Sequence, residues 1–325
     1  MIVPAKELLD FAYKKFSVGA YNIHNLEQLM GLLYGSQKSN APFIVQAYPS
    51  TLNYTDASML EALFHEADKL FPDLIFAVSI DHGDEATCMR AIDSGAYSHV
   101  MIDASMETFE KNIEITKRVV DHAHSRGVSV EGMVGKLGGL EKHMKVLDVS
   151  EVQLTTVEQA REFAERTGCD SLAVSIGTLH GANKAPDGIP RKVDLDRLKE
   201  IGEALEGTPL VMHGSSCLPQ EEVRRVDAAG GKLERVGGMD ETQQSEVHKL
   251  GVAQINVNSD GLLIWTRSIR EYLRDYPGVI DLRESGKAFM QEYASFIAHK
   301  NDVFGSSGKL DALTEHYETP WTLMN

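Results

Sequence analysis

The chain has 325 residues, of which 42% are hydrophobic and 25% charged, and it carries a formal net charge of −16. That length holds two average domains or one large α/β barrel, and the composition is that of an ordinary water-soluble protein. The acidic balance opposes a nucleic-acid partner, since phosphate-backbone binders neutralise their target with basic surface, and no apolar run approaches the roughly 18 residues of a membrane span.

From the N-terminus onward, "MIVPAKELLDFAYKKF" lacks a basic region followed by an apolar core and a small-residue cleavage site, so no secretory signal is expected and the chain reads as cytoplasmic. Short β-rich apolar segments then recur: VGAYNI, PFIVQA, DLIFAVSI, SHVMID, VSVEGM, SLAVSI, PLVMHG and AQINVN. Between them lie stretches with helical spacing, among them NLEQLMGLLYGSQKS, TFEKNIEITKRVVDHAHSR and TVEQAREFAERTG, the last with Thr156 as N-cap and Gly168 as stop. Strand alternating with helix eight times, with no shift in composition, predicts one (β/α)8 TIM barrel over residues 1–325 as a single domain. An open doubly wound sheet is the alternative. Long connections follow strand five (residues 133–155), strand six (176–194) and strand seven (AGGKLERVGGMDETQQSE). Such loops usually carry function. The chain is expected to end in a helical extension, SGKAFMQEYASFIAHKNDVFG, and an irregular tail. Three widely spaced cysteines, Cys88, Cys169 and Cys217, fit reduced thiols better than disulfides.

In a barrel the C-terminal strand ends share one mouth, where active sites sit. Those ends carry Asn22, Asp81 with His82, Glu131, His180, His213, and Asn256 with Asn258. Three imidazoles on one rim suit a borderline-soft divalent ion such as Zn2+, and Asp81 beside one of them is placed to move a proton. Asp81 could instead cap the next helix, for which DHGDEAT is suitable. His65, His122, His124, His248 and His299 fall on predicted helices and read as solvated or partly packed. GTLHGANK, MHGSSCLP and NVNSDG add glycines, hydroxyls and a helix start, a combination that cradles phosphate and is also ordinary turn chemistry.

Taken in order, GAYNIHNLEQL, SIDHGD, VEGMVGKLGGLE, LAVSIGTLHG, LVMHGSSCLP, QINVNSDG and DLRESGKAFM resemble the class II, metal-dependent ketose-bisphosphate aldolases over nearly the whole chain. The resemblance implies a barrel enzyme that splits a ketose 1,6-bisphosphate or 1-phosphate into dihydroxyacetone phosphate and an aldehyde, using Zn2+ and with a place for a monovalent cation. It further implies a homodimer or homotetramer acting on a phosphorylated sugar. Residue by residue, His82, His180 and His213 match the zinc ligands, and Asp81 the acid that serves the C4 oxygen. Glu141 matches the loop glutamate that exchanges a proton on the dihydroxyacetone-phosphate carbon. Gly181, Gly214, Ser216, Asn256 and Ser259 match the set around the first phosphate and the carbonyl, and Arg283 an arginine that reaches the other phosphate from a neighbouring subunit. The chain departs from the family at Met133, where a second glutamate is usual. It departs again at Tyr48, at Lys142 and His143, and at Asn258, where many members have aspartate. A sugar-phosphate isomerase or epimerase, or a non-catalytic sugar-phosphate-binding protein, are the competing expectations.

Overall fold

All eight apolar segments form strands: β1 (Val18–Asn22), β2 (Phe43–Ala47), β3 (Phe76–Gly83), β4 (His99–Ile102), β5 (Ser129–Val134), β6 (Ser171–Val174), β7 (Leu210–Met212) and β8 (Val252–Val257). The computed structural model describes residues 1–139, 152–180, 193–233 and 236–321. Each strand pairs in parallel with its neighbours in sequence, and β8 returns to β1 with Gln254 opposite Val18 and Asn256 opposite Ala20. The sheet is therefore a closed barrel, and the open doubly wound alternative is excluded. Parallel pairing needs a crossover of a dozen or more residues, which the intervening helices supply. Because helices cover the outside and side chains fill the inside, every residue of these eight strands is buried.

Local signals set the helix ends. Asn25 accepts from the Gln28 amide at the start of Leu26–Ser39, and Thr108 from Lys111 at the start of Phe109–His124. Thr156 forms a capping box with Gln159, and Gly168, left-handed at φ 70°, closes Val157–Thr167. The cap of Glu85–Ser94 is Asp84, which accepts from Thr87, so Asp81 is not used for capping. The helical histidines lie where expected: His122, His124 and His299 pair at the surface with Asp93, Asp170 and Glu241.

The helix Leu282–Phe304 packs across Leu26–Ser39 at very short range; a Cβ on Gly35 would lie 2.6 Å from the Ala294 carbonyl oxygen. The tail beyond it departs from expectation. Rather than being irregular, it contains a helix, Leu310–Trp321, because Leu310 and Leu313, one turn apart, both fall on the core. Among the described residues, no helix is long and apolar enough to cross a membrane.

Candidate active site

The end of β3 is irregular. Ser79 and Ile80 pair with His99 and Val100, but the next paired residues are Gly83 and Ile102, so β3 carries one extra residue. His82 takes φ 53°, a left-handed conformation uncommon for a residue with a side chain. In a regular strand, adjacent side chains point to opposite faces; the bulge lets Asp81 and His82 both enter the barrel mouth. The Met101 sulfur tethers this turn by accepting from the His82 amide at 3.4 Å.

His82 meets His213, the residue just after β7, edge to face with ring centroids 4.6 Å apart. His82 Nε2 and His213 Nδ1 are separated by 3.1 Å. The far nitrogen of each ring is held by a carboxylate: His82 Nδ1 by Asp103 at 2.6 Å and His213 Nε2 by Glu131 at 2.6 Å. Those carboxylates accept the outer N–H groups, which leaves the facing nitrogens as lone-pair donors. Two lone pairs at that distance favour a proton or a metal ion between or beside them, and the Asn256 amide lies 3.2 Å from His213 Nδ1 on the same side. Burial works to lower the His82 imidazole, yet Asp81, Asp103 and Glu131 outweigh it and push it up to about 9. Burial also opposes ionisation of Glu131, but His213 and His99 hold it down to about 2. Asp103 is held well below the usual range by His82 and Ser105 against the same penalty. This pocket of anionic oxygens and imidazole nitrogens fits a divalent cation. One ligand atom each from Asp81, His82 and His213 lies within 4.8 Å of the others.

Asp81 rests on a bed of amides. Its Oδ2 accepts from Asn22 Nδ2 at 2.8 Å and Gln46 Nε2 at 3.1 Å. Its Oδ1 is turned toward the rings, 3.7 Å from His82 Nε2 and 3.9 Å from His213 Nδ1, with Asn256 Nδ2 at 3.5 Å. Gln254 links the two halves of the site by donating to Glu131 at 3.0 Å and to Asn256 Oδ1 at 2.8 Å. Beneath lies an apolar layer in which Met133 packs with Met101, Ala173 and Val211.

The remaining expected residues do not all gather at the mouth. Gly214 follows His213 at φ 63°, and any Cβ there would sit 2.7 Å from the Leu179 carbonyl oxygen. That contact brings the backbone of His180, in a two-residue strand paired with Gly139, next to the turn after β7. Ser216, Asn258 and Ser259 lie on the adjoining β7 and β8 loops, with Ser259 opening the helix Ser259–Asp275. Asn258 Oδ1 accepts from His24 Nε2 at 3.0 Å, and Tyr48 stacks between the His24 and His82 rings. Arg283 is not drawn into this group; its side chain is 79% exposed and pairs with Asp281. Glu141, Lys142, His143 and Gly181 lie outside the described residues, as does the His180 side chain.

Gln46, His99, Asp103 and Gln254 were not among the sequence candidates. A signal for them exists: each is a polar residue within or just after an otherwise apolar strand. It would have needed the barrel register to say which face each one occupies.

The family profile described as class-II fructose-bisphosphate aldolase matches residues 3–309. A fructose-bisphosphate aldolase of Giardia intestinalis is 38% identical over 307 residues, 93% of either chain. One from Thermus caldophilus is 37% identical over 314 residues, 95% of this chain and 100% of its own. The YdjI aldolase of Escherichia coli K12 superposes with a TM-score of 0.75 over 95% of this chain and 100% of that one, at 23% identity, a likeness that speaks to fold alone. Sequence identity this high, sustained along nearly the full length, settles the matter that the mouth geometry raised: the chain belongs to the class-II fructose-bisphosphate aldolase family, a family of metal-dependent carbon–carbon lyases.

Proposed function

We propose that this lyase is a zinc enzyme that reversibly cleaves fructose 1,6-bisphosphate into dihydroxyacetone phosphate and glyceraldehyde 3-phosphate. The observation that carries the reading is the pair of carboxylate-backed imidazoles, His82 and His213, with Asp81 beside them, in a chain of this family. His82, His180 and His213 would hold the zinc. When bound, the metal supplies Lewis acidity that draws charge from the ketose carbonyl and its neighbouring hydroxyl as the C3–C4 bond breaks. Asp81 Oδ1 takes the proton of the C4 hydroxyl during cleavage and returns it during condensation, while the Asn22 and Gln46 amides keep Oδ2 fixed. Glu141 exchanges the proton on the dihydroxyacetone-phosphate carbon. Gly181, Gly214, Ser216, Asn256, Asn258 and Ser259 hold the first phosphate and the carbonyl region.

We read residues 1–325 as one catalytic domain working in the cytoplasm as a homodimer or homotetramer. Arg283 would reach the second phosphate of a neighbouring subunit. Its surroundings support a buried role in an assembly: Tyr276, Ile280 and Leu282 are 55%, 99% and 75% exposed along the same stretch of chain. No observation favours an isomerase, an epimerase or a non-catalytic binding protein.

The test is to incubate zinc-loaded protein with fructose and tagatose 1,6-bisphosphates, with and without a chelator, and follow dihydroxyacetone phosphate. Chelator-sensitive product from the fructose ester is expected. No product from either sugar, in protein shown to contain zinc, would overturn the assignment. Asp81→Ala should retain zinc and lose most cleavage, and loss of both together would make Asp81 a metal ligand instead. His180→Ala should lose metal and cleavage together.

A further inference from the structure

A buried lysine stands directly behind the β7 and β8 loops. Lys300, on Leu282–Phe304, is fully buried, and its three ammonium hydrogens have three acceptors: Glu241 Oε1 at 2.7 Å, Gln244 Oε1 at 3.1 Å and Cys217 Sγ at 3.2 Å. Burial works against its charge, but the Asp260 and Glu241 carboxylates outweigh that and raise it from the ordinary lysine value. The Cys217 thiol is itself pushed up to about 12, chiefly by burial, so it meets the ammonium as a neutral acceptor.

Two of the three partners of Lys300 belong to or reach the loop that follows His213: Cys217 lies in it, and Gln244 contacts it. Gln244 donates its amide to the Ser215 carbonyl at 2.6 Å, and Ser215 Oγ in turn donates to the Asn256 carbonyl at 2.9 Å. Cys217 and Leu218 give their backbone N–H groups to Asp260 at 3.0 and 2.6 Å, and Asp260 lies in the first turn of Ser259–Asp275. The Ser216 carbonyl accepts from Met239 at 3.1 Å. The Ser215 carbonyl and Cys217 Sγ therefore lead to Lys300 and the Cys217 and Leu218 amides to Asp260, and both of these residues are completely buried. A buried cation is strongly disfavoured once its acceptors are lost, so Lys300 ties the loop after His213 to the C-terminal helix.

We infer that Lys300 is a positioning residue for the phosphate end of the substrate. Through Cys217 and Gln244 it sets Gly214–Ser216 against Asn258–Asp260 without touching the ligand, and it links the C-terminal extension to the site. The inference rests on the proposed role of these loops in holding phosphate. Its consequence is chiefly a change in affinity, because Lys300 makes no direct contact with Asp81, His82 or His213 and reaches them only at several removes, through Gln244, Ser215 and Asn256.

The experiment uses zinc-loaded full-length enzyme and inorganic phosphate as the probe. Lys300→Met should raise both KM for fructose 1,6-bisphosphate and the inhibition constant of phosphate by about tenfold, with kcat within about threefold and zinc content unchanged. Ser216→Ala serves as the control on the cradle. If Ser216→Ala weakens phosphate and a folded Lys300→Met does not, the role of Lys300 is overturned while the cradle stands. If Ser216→Ala itself leaves phosphate inhibition unchanged, the cradle reading is what fails. Should Lys300→Met not fold, the double variant Cys217→Ala with Gln244→Met keeps the ammonium and its carboxylates. It should move the phosphate constant in the same direction by about threefold, and an unmoved constant refutes the proposal.

Discussion

Replacing Asp103 with alanine tests the proposed metal site, because in that reading this residue would act on the metal only through His82. Its carboxylate lies 2.6 Å from His82 Nδ1, and the Ser105 amide and hydroxyl fix it in turn at 3.1 and 2.7 Å. The side chain is 13% exposed, so water cannot fully replace what is lost. Removing it lowers the basicity of the imidazole and lets a ring already in a strained backbone position rotate away from His213. Outer partners of this kind typically contribute 10- to 100-fold in metal affinity, about 1.4–2.7 kcal/mol. Asp103→Asn should lose less, since an amide oxygen still accepts the Nδ1–H but brings no charge. The assay is a competition titration of zinc against a chelator of known affinity, with circular dichroism to confirm folding. At saturating zinc, Asp103→Ala should recover most of its cleavage rate. A folded Asp103→Ala protein with parental zinc affinity would refute the idea that His82 donates Nε2 to the metal under the control of Asp103.

Met133→Glu would put a carboxylate into the apolar layer formed with Met101, Ala173 and Val211; metal-free protein should lose about 1–3 kcal/mol, and added zinc should raise its melting temperature more than that of the parent. Equal metal-free stability would mean that the layer is not closed to charge. Arg267, 3% exposed, joins Glu222, Glu271 and Glu292 at 2.5, 3.1 and 2.9 Å across three helices. Arg267→Met should destabilise by about 2 kcal/mol, less than a fully buried pair because Glu292 is half exposed, and an unchanged urea midpoint would contradict this. Thr156→Ala removes one half of the capping box on Val157–Thr167 and should cost about 1 kcal/mol in the same urea titration.

The strands and the helix caps could be read locally. Asn25, Thr108, Thr156 and Gly168 act on backbone groups within four residues, and eight parallel strands buried on both faces leave long apolar runs. The tail was misread because Leu310 and Leu313 are too few to show a helical period until the core they cover is in view. At the site, His82, His213 and Asp81 were visible as polar residues that end apolar strands. Asp103 ends SHVMID in the same way, but nothing local indicates that its carboxylate turns to His82 and not to solvent.

What the sequence alone determined is therefore the order of the elements, the barrel they imply, and the identity of the acid and imidazoles on its rim. All of these follow from spacing and from short-range hydrogen bonding. The tertiary structure alone decided that Asp81 and His82, adjacent in the chain, point the same way, because that depends on a one-residue slip of β3 against β4. It also decided the pairing of each imidazole with a carboxylate, His82 with Asp103 and His213 with Glu131, from residues 21 and 82 positions apart. Closing the barrel brings those groups into one buried space, where low polarizability makes each unpaired charge costly and so selects the arrangement that a cation completes.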